Sequence, residues 1–216
     1  MIHKITRIMI GTTISALGTA MVLNSDLGSL ALQALCKALC NWTTLPFWLI
    51  NILVELSMIA YATYKGEGLG WTAIINATYG AIMIAVFHSI LPHHPLFILG
   101  GVLLPLSWSM MEKAGLGATG SNVLMIALMK DTNKSLTEIR LYQEGIQLLI
   151  GFLGARQYVS LFTIMVTLAI PFIIKYVYKL TKHKPDVVEQ QYIDLKNLRT
   201  MYKKCVIWIK QLSEKN

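Results

Sequence analysis

The stretch SDLGSLALQALCKAL, residues 25–39, breaks an otherwise apolar chain at an odd place. Residues 8–23 run without a charge. Asp26 and Gly28 then interrupt, and the apolar segment that follows ends near residue 41. A helix needs about 20 mostly apolar residues to cross a bilayer, and about 14 better suit a re-entrant or interfacial helix. The question is whether this segment is a defective span or a built feature.

The rest of the chain favours a membrane setting. Of 216 residues, 55% are hydrophobic and 14% charged, with a mean hydropathy of +0.55. A soluble domain carries about a quarter charged residues. The charges cluster at Lys4 and Arg7 and again from Lys175 onward, where ten Lys/Arg face four Asp/Glu. The net charge of +8 is therefore largely a tail property. It fits the positive cytoplasmic flank of a membrane span rather than a nucleic-acid surface. Spans are predicted at 5–24, 45–64, 71–91, 95–112, 135–154 and 157–179, with short apolar pieces at 28–41 and 117–130. The first segment lacks a small-x-small cleavage site in VLNSD and reads as a span, not a signal peptide. With six spans, Lys4, Arg7, Lys65, Lys113, Lys130, Lys134 and the tail fall on one side, and Lys37 and Arg156 on the other. Both termini are then cytoplasmic in a multi-pass protein of the cell membrane.

The short segment has a partner. Sliding the sequence by 89 positions sets Asp26-Leu27-Gly28 on Gly115-Leu116-Gly117, Gln33 on Asn122, Asn51 on Arg140 and Glu55 on Glu144. Gly11 meets Gly100 in the same register. Coincident leucines carry little weight in apolar sequence, but coincident glutamates inside spans do, because intramembrane carboxylates are rare. Each repeat holds three spans and one short helix, so the second enters from the opposite side. The fold expected is all-α, with two inverted three-span repeats over 1–92 and 93–181 and a tail over 182–216.

SDLGSLALQAL, AGLGATGSNVLMIAL and TEIRLYQEGIQLLIGFLGA together resemble the YczE/YyaS/YitT-type bacterial multi-pass membrane proteins, on the YczE-like branch. The resemblance covers roughly residues 5–180. It implies a Leu-Gly turn after the first and fourth spans and a span with Arg and Glu four apart, here Arg140 and Glu144. The chain departs from the pattern after the second turn, where relatives often carry a Pro-Arg-Asp-type stretch and this one has Gly120-Ser121-Asn122. The resemblance speaks to fold far more than to activity.

Glu55 and Glu144 lie near the middle of their predicted spans, each one turn after a polar repeat mate, Asn51 or Arg140. Residues four apart share a helix face. Asn51 and Glu55 in one half, and Arg140, Gln143, Glu144 and Gln147 in the other, therefore form polar faces at equivalent depth. Gln33 and Asn122 could add hydrogen bonds from the short helices. Such a set suits a small polar or charged solute or a proton; the alternative is an Arg–Glu pair that only locks helices. Gly28 and Gly117 mark turns that open the short helices, with Asp26 as a cap for the first. The helix starts there could instead cradle an anionic group. Neither a phosphate-binding Gly-Lys-Ser/Thr loop nor a catalytic constellation is present, so no enzyme activity, cofactor or metal site is expected. Cys36 and Cys40 read as small packing residues, His88, His93 and His94 as part of a turn, and Trp42, Trp48, Trp71 and Trp108 as an interfacial belt.

The tail repeats Val188, Leu195, Tyr202 and Ile209 every seven residues, with Lys and Arg beside the seam. Two readings stand: an amphipathic helix on the anionic membrane face, or a coiled coil making a homodimer through 185–216. The function expected is a transporter-like permease for a small polar or charged solute, with a buried glutamate available to couple it to a proton. The alternative is a non-transporting accessory or scaffold protein that recruits a partner through its tail.

Overall fold

The computed structural model describes residues 2–25, 27–93 and 96–180. The readings of Asp26 as a cap, of His94 and of the tail as a membrane-surface or dimerising helix fall outside the described residues.

Eight helices follow one another: α1 Ile2–Leu23, α2 Ala31–Thr43, α3 Phe47–Tyr64, α4 Trp71–Ile90, α5 Phe97–Glu112, α6 Gly120–Thr132, α7 Leu136–Gly154 and α8 Leu161–Leu180. A wide π turn at Asn76–Gly80 interrupts α4. Three helices, α1, α3 and α4, are long and apolar enough to cross a membrane, and α5 and residues 161–177 of α8 are shorter apolar helices. α7 has the length but carries Arg140, Gln143, Glu144 and Gln147 on its buried side.

The 89-residue register reappears in the backbone. α2 and α6 match end to end, as Ala31–Thr43 and Gly120–Thr132, and α3 and α7 begin at equivalent residues. Each short helix stops at a left-handed residue, Thr44 at φ 59° and Asn133 at φ 54°. This conformation is ordinary for Asn and unusual for a β-branched Thr. Pro46 and Ser135 then start the next helices; Ser135 and Glu138 form a reciprocal capping box. Gly28 and Gly117 both hold positive φ, at 125° and 98°.

These glycines do not begin the short helices. The N-cap positions are Leu30 and Thr119, in extended conformation and without side-chain caps, so both helices start three residues later than the sequence reading places them. The glycine turns instead pack against the start of the fourth helix of the other half. Ser160 Oγ donates to the Leu27 carbonyl, and the Thr72 amide donates to the equivalent Leu116 carbonyl at 3.2 Å. A Cβ at Gly117 would lie 2.6 Å from the Gly70 Cα.

Helix pairing follows the same correspondence. α1 packs on α5, its own counterpart, and the two run antiparallel: Gly11 lies against Ser107 and Met111, and Gly18 against Gly100 and Leu104. α2 packs on α7 running parallel, with Gly151 against Ala34 and Gly154 against Ala38 and Trp42. The equivalent pair, α3 on α6, is also parallel: Gly120 meets Glu55 and Ile59, and Lys65 meets Asp131 at 2.6 Å. Val22, Leu30, Phe97, Leu104, Ile170 and Ile174 form the largest buried apolar cluster, where α1, α5 and α8 converge.

The α1–α5 crossing leaves no room for side chains. A Cβ on Gly100 would stand 2.5 Å from the Gly18 carbonyl oxygen, whereas one on the adjacent Gly101 would touch nothing within 4 Å. Gly100→Ala is therefore expected to lower unfolding stability by about 1–3 kcal/mol, the range for overpacking a tight contact. Gly101→Ala should stay within about 0.5 kcal/mol of wild type. Equilibrium unfolding of the two variants in the same detergent checks the contrast, and equal effects would remove the crossing as its cause.

Candidate functional site

The parallel packing of α3 on α6 and of α2 on α7 brings the polar positions of both halves to one place. A buried cavity of about 50 Å³ is lined by Gln33 from α2, Glu55 from α3, Asn122 from α6, and Arg140, Glu144 and Gln147 from α7. All six are at most 7% exposed. Six of the eight candidate binding residues thus meet across the two halves, although up to 114 positions separate them in sequence, from Gln33 to Gln147.

The remaining two sit beside the cavity. Asn51 is buried and its Oδ1 accepts from Cys36 Sγ at 3.7 Å, so Cys36 serves the helix contact as a weak donor. Gln143 donates to Ser121 Oγ at 3.0 Å and approaches Met58 Sδ at 3.7 Å. Gln143 and Gln147 also line a separate cleft of about 410 Å³ between α2, α3, α6 and α7, whose other walls are mainly apolar and include the repeat mates Leu35 and Leu124, and Leu39 and Leu128.

Arg140 organises the second half of the site. Its Nε donates to Glu144 Oε1, and its Nη1 donates to Asn122 Oδ1 at 3.0 Å. Asn122 Nδ2 in turn donates to Glu112 Oε1. The guanidinium also lies 4.8 Å from the centre of the Trp108 ring, a cation–π distance. Glu55 has no such close cation. Its carboxylate lies against the first turn of α6, with the Ser121 backbone amide as a partner and Arg140 as the positive charge it feels across the cavity. A helix N-terminus carries roughly half a positive charge and unpaired N–H groups. An anion suited to the start of α6 is therefore supplied by the protein itself.

Three residues of this site escape the sequence reading. Glu112, at the end of α5 beside Lys113, looks interfacial in sequence but is 3% exposed and joins the Asn122 network. Trp108 is half-buried beside Arg140, whereas Trp42, Trp48 and Trp71 are exposed. Asn76 lines the cavity from the π turn of α4. Of these, only Asn76 leaves a signal in sequence, as an amide inside an apolar run. Among the described residues no group of three His, Cys, Asp or Glu is placed to hold a metal ion.

Away from the cavity, charge pairs mark the outer ends of the helices. Lys130 meets the buried Glu67 at 2.7 Å, and Asp131, hydrogen-bonded to Lys65, holds that ammonium above its ordinary pKa. Lys37 lies 5.2 Å from the Phe47 ring centre and 5.0 Å from that of Tyr158.

The Arg140–Glu144 pair makes a thermodynamic commitment. Removing one partner of a buried ion pair strands the other charge and costs about 3–5 kcal/mol. Arg140→Met should destabilise by that order, and adding Glu144→Gln should recover much of the loss. Unfolding titrations of the two variants test this; a double variant no more stable than Arg140→Met would show that the guanidinium holds the fold through other contacts. No family model, curated protein or solved structure matches the chain, which leaves its chemistry to be read from the site itself.

Proposed function

We propose that this chain is a multi-pass membrane protein of the YczE/YyaS/YitT type, built as two inverted three-span repeats with both termini cytoplasmic, that moves a small polar or charged solute with a buried glutamate as proton carrier. The observation that carries the reading is the central cavity, where Glu55 and Glu144, equivalent residues of the two halves, face each other's half across Arg140. Intramembrane carboxylates are costly, about 2.5–3.5 kcal/mol each on insertion scales, and mark solute or proton paths. Locking helices is a weak use for them, since polar contacts between membrane helices average about 0.6 kcal/mol. The antiparallel α1–α5 crossing and the equivalent bounds of α2 and α6 support the inverted arrangement. A two-fold axis in the membrane plane is the symmetry that many secondary transporters use to expose one site alternately to each side.

Topology has a direct test at the outer ends of the short helices, where Thr43 and Thr132 are both exposed. Single cysteines placed there, in a chain freed of Cys36, Cys40 and Cys205, should react with an impermeant thiol reagent from opposite sides of the membrane. Labelling from the same side would end the inverted model. For transport, the chain is reconstituted in vesicles enclosing a pH-sensitive dye and challenged with a panel of small amines, amino acids and organic acids. Wild type should move protons in response to at least one solute, and Glu55→Gln and Glu144→Gln should each lose that response more than tenfold while folding normally. Undiminished movement in both variants would refute a carboxylate-centred mechanism.

A further inference from the structure

We infer that the central cavity is a binding site for a small protonated amine, whose N–H groups donate to the side-chain oxygens of Gln33, Glu55 and Glu144. The assignment rests on the same cavity as the transport reading but not on transport itself.

The cavity holds three unpartnered acceptors. Gln33 Oε1, Glu55 Oε2 and Glu144 Oε2 are all buried, and none has a hydrogen-bond partner among the described residues. The charged donor is already engaged, Arg140 with Glu144 and Asn122, as are the Asn122 amide with Glu112 and the Ser121 backbone amide with Glu55. The donors left on the lining are the neutral side-chain amides of Gln33, Asn76 and Gln147. A buried polar atom without a partner is costly, by about 1–3 kcal/mol. A ligand that relieves three such acceptors must donate and need accept nothing. An ammonium group is that ligand, with up to three or four N–H donors and no acceptor.

Charge and size agree. Two carboxylates line the cavity with one guanidinium, so a single positive charge balances them, and a buried charge is tolerated only when paired. A carboxylate or phosphate ligand would add negative charge beside two carboxylates and meet only neutral amide donors that are not already engaged. A volume of about 50 Å³ leaves room for a small head group such as ammonium or methylammonium, well above the roughly 10–15 Å³ in which a single water fits. The asymmetry between the halves places the amine. The first half, with neutral Asn51 where the second has Arg140, leaves Glu55 without a cation of its own half and Gln33 with an unpartnered acceptor.

The test uses the purified full chain in lipid nanodiscs. Thermal unfolding is followed with methylammonium, tetramethylammonium, potassium and formate at matched ionic strength. Methylammonium should raise the midpoint in a concentration-dependent way, as a ligand of the folded state does. Tetramethylammonium carries the same charge without an N–H group and should not, and neither should potassium or formate. Glu55→Gln and Glu144→Gln should each weaken methylammonium binding at least tenfold. Gln33→Met, which removes an acceptor and no charge, should weaken it several-fold and serves if the glutamine variants do not fold. Equal stabilisation by tetramethylammonium or formate, or unchanged methylammonium binding in the variants, would overturn the assignment. Amine binding without any solute-driven proton movement would sink the transport reading alone, and transport of another solute with no amine binding would sink this one alone.

Discussion

Everything in the centre of this molecule depends on how a carboxylate can be kept inside an apolar helix bundle. α3 places Glu55 against the opening turn of α6, a helix of the other half. The exchange works in both directions. A half-helix that starts inside the protein has unpaired N–H groups and a positive end with no water to satisfy them. A mid-helix glutamate has a negative charge with the same problem. Setting one against the other solves both, and it requires α3 and α6 to run parallel so that the middle of one reaches the beginning of the other. The parallel packing of α2 on α7 is the equivalent arrangement, with Glu144 and the first turn of α2 lining the same cavity.

The two solutions differ, and the difference gives the site its character. In the second half Arg140 engages one oxygen of Glu144 and reaches Asn122, which holds Glu112, while Glu144 Oε2 stays unpartnered among the described residues. In the first half Asn51 replaces the arginine and turns to Cys36, which leaves Glu55 and Gln33 each with a buried oxygen unpartnered among the described residues. The backbone repeats closely, down to the left-handed Thr44 and Asn133. The side chains at the same positions do not.

Much of this was legible in the residues. The 89-residue register predicts that 28–41 and 117–130 are paired short helices, and the backbone pairs α2 with α6 end to end. The polar residues at helical spacing around Glu55 and Glu144 point to one cavity because intramembrane polar groups must face inward. What sequence could not supply is orientation at the ends of helices. Glu112 and Trp108 lie near a predicted membrane boundary, where a carboxylate and an indole are ordinary surface residues, and only the antiparallel crossing of α1 and α5 turns that end inward. Gly28 and Gly117 were read as helix starts because glycine so often marks a boundary. Their actual work is to carry the chain at positive φ beneath the first turn of the fourth helices, a tertiary contact invisible at short range.

The same geometry limits how the cavity can be reached. At about 50 Å³ it admits a solute head of a few heavy atoms, and the larger apolar cleft of about 410 Å³ between α2, α3, α6 and α7 borders it only through Gln147. The α1–α5 crossing is fixed by backbone contact at Gly18 and Gly100, so this pair has little freedom to part. The pairs α2–α7 and α3–α6 are held by small residues such as Ala34, Ala38, Gly151 and Gly154 along one, and by Ala62, Val123 and Ala127 along the other. Between the two pairs lies the apolar cleft, so it is here, and not at the α1–α5 crossing, that the helices around the cavity are held least by direct packing.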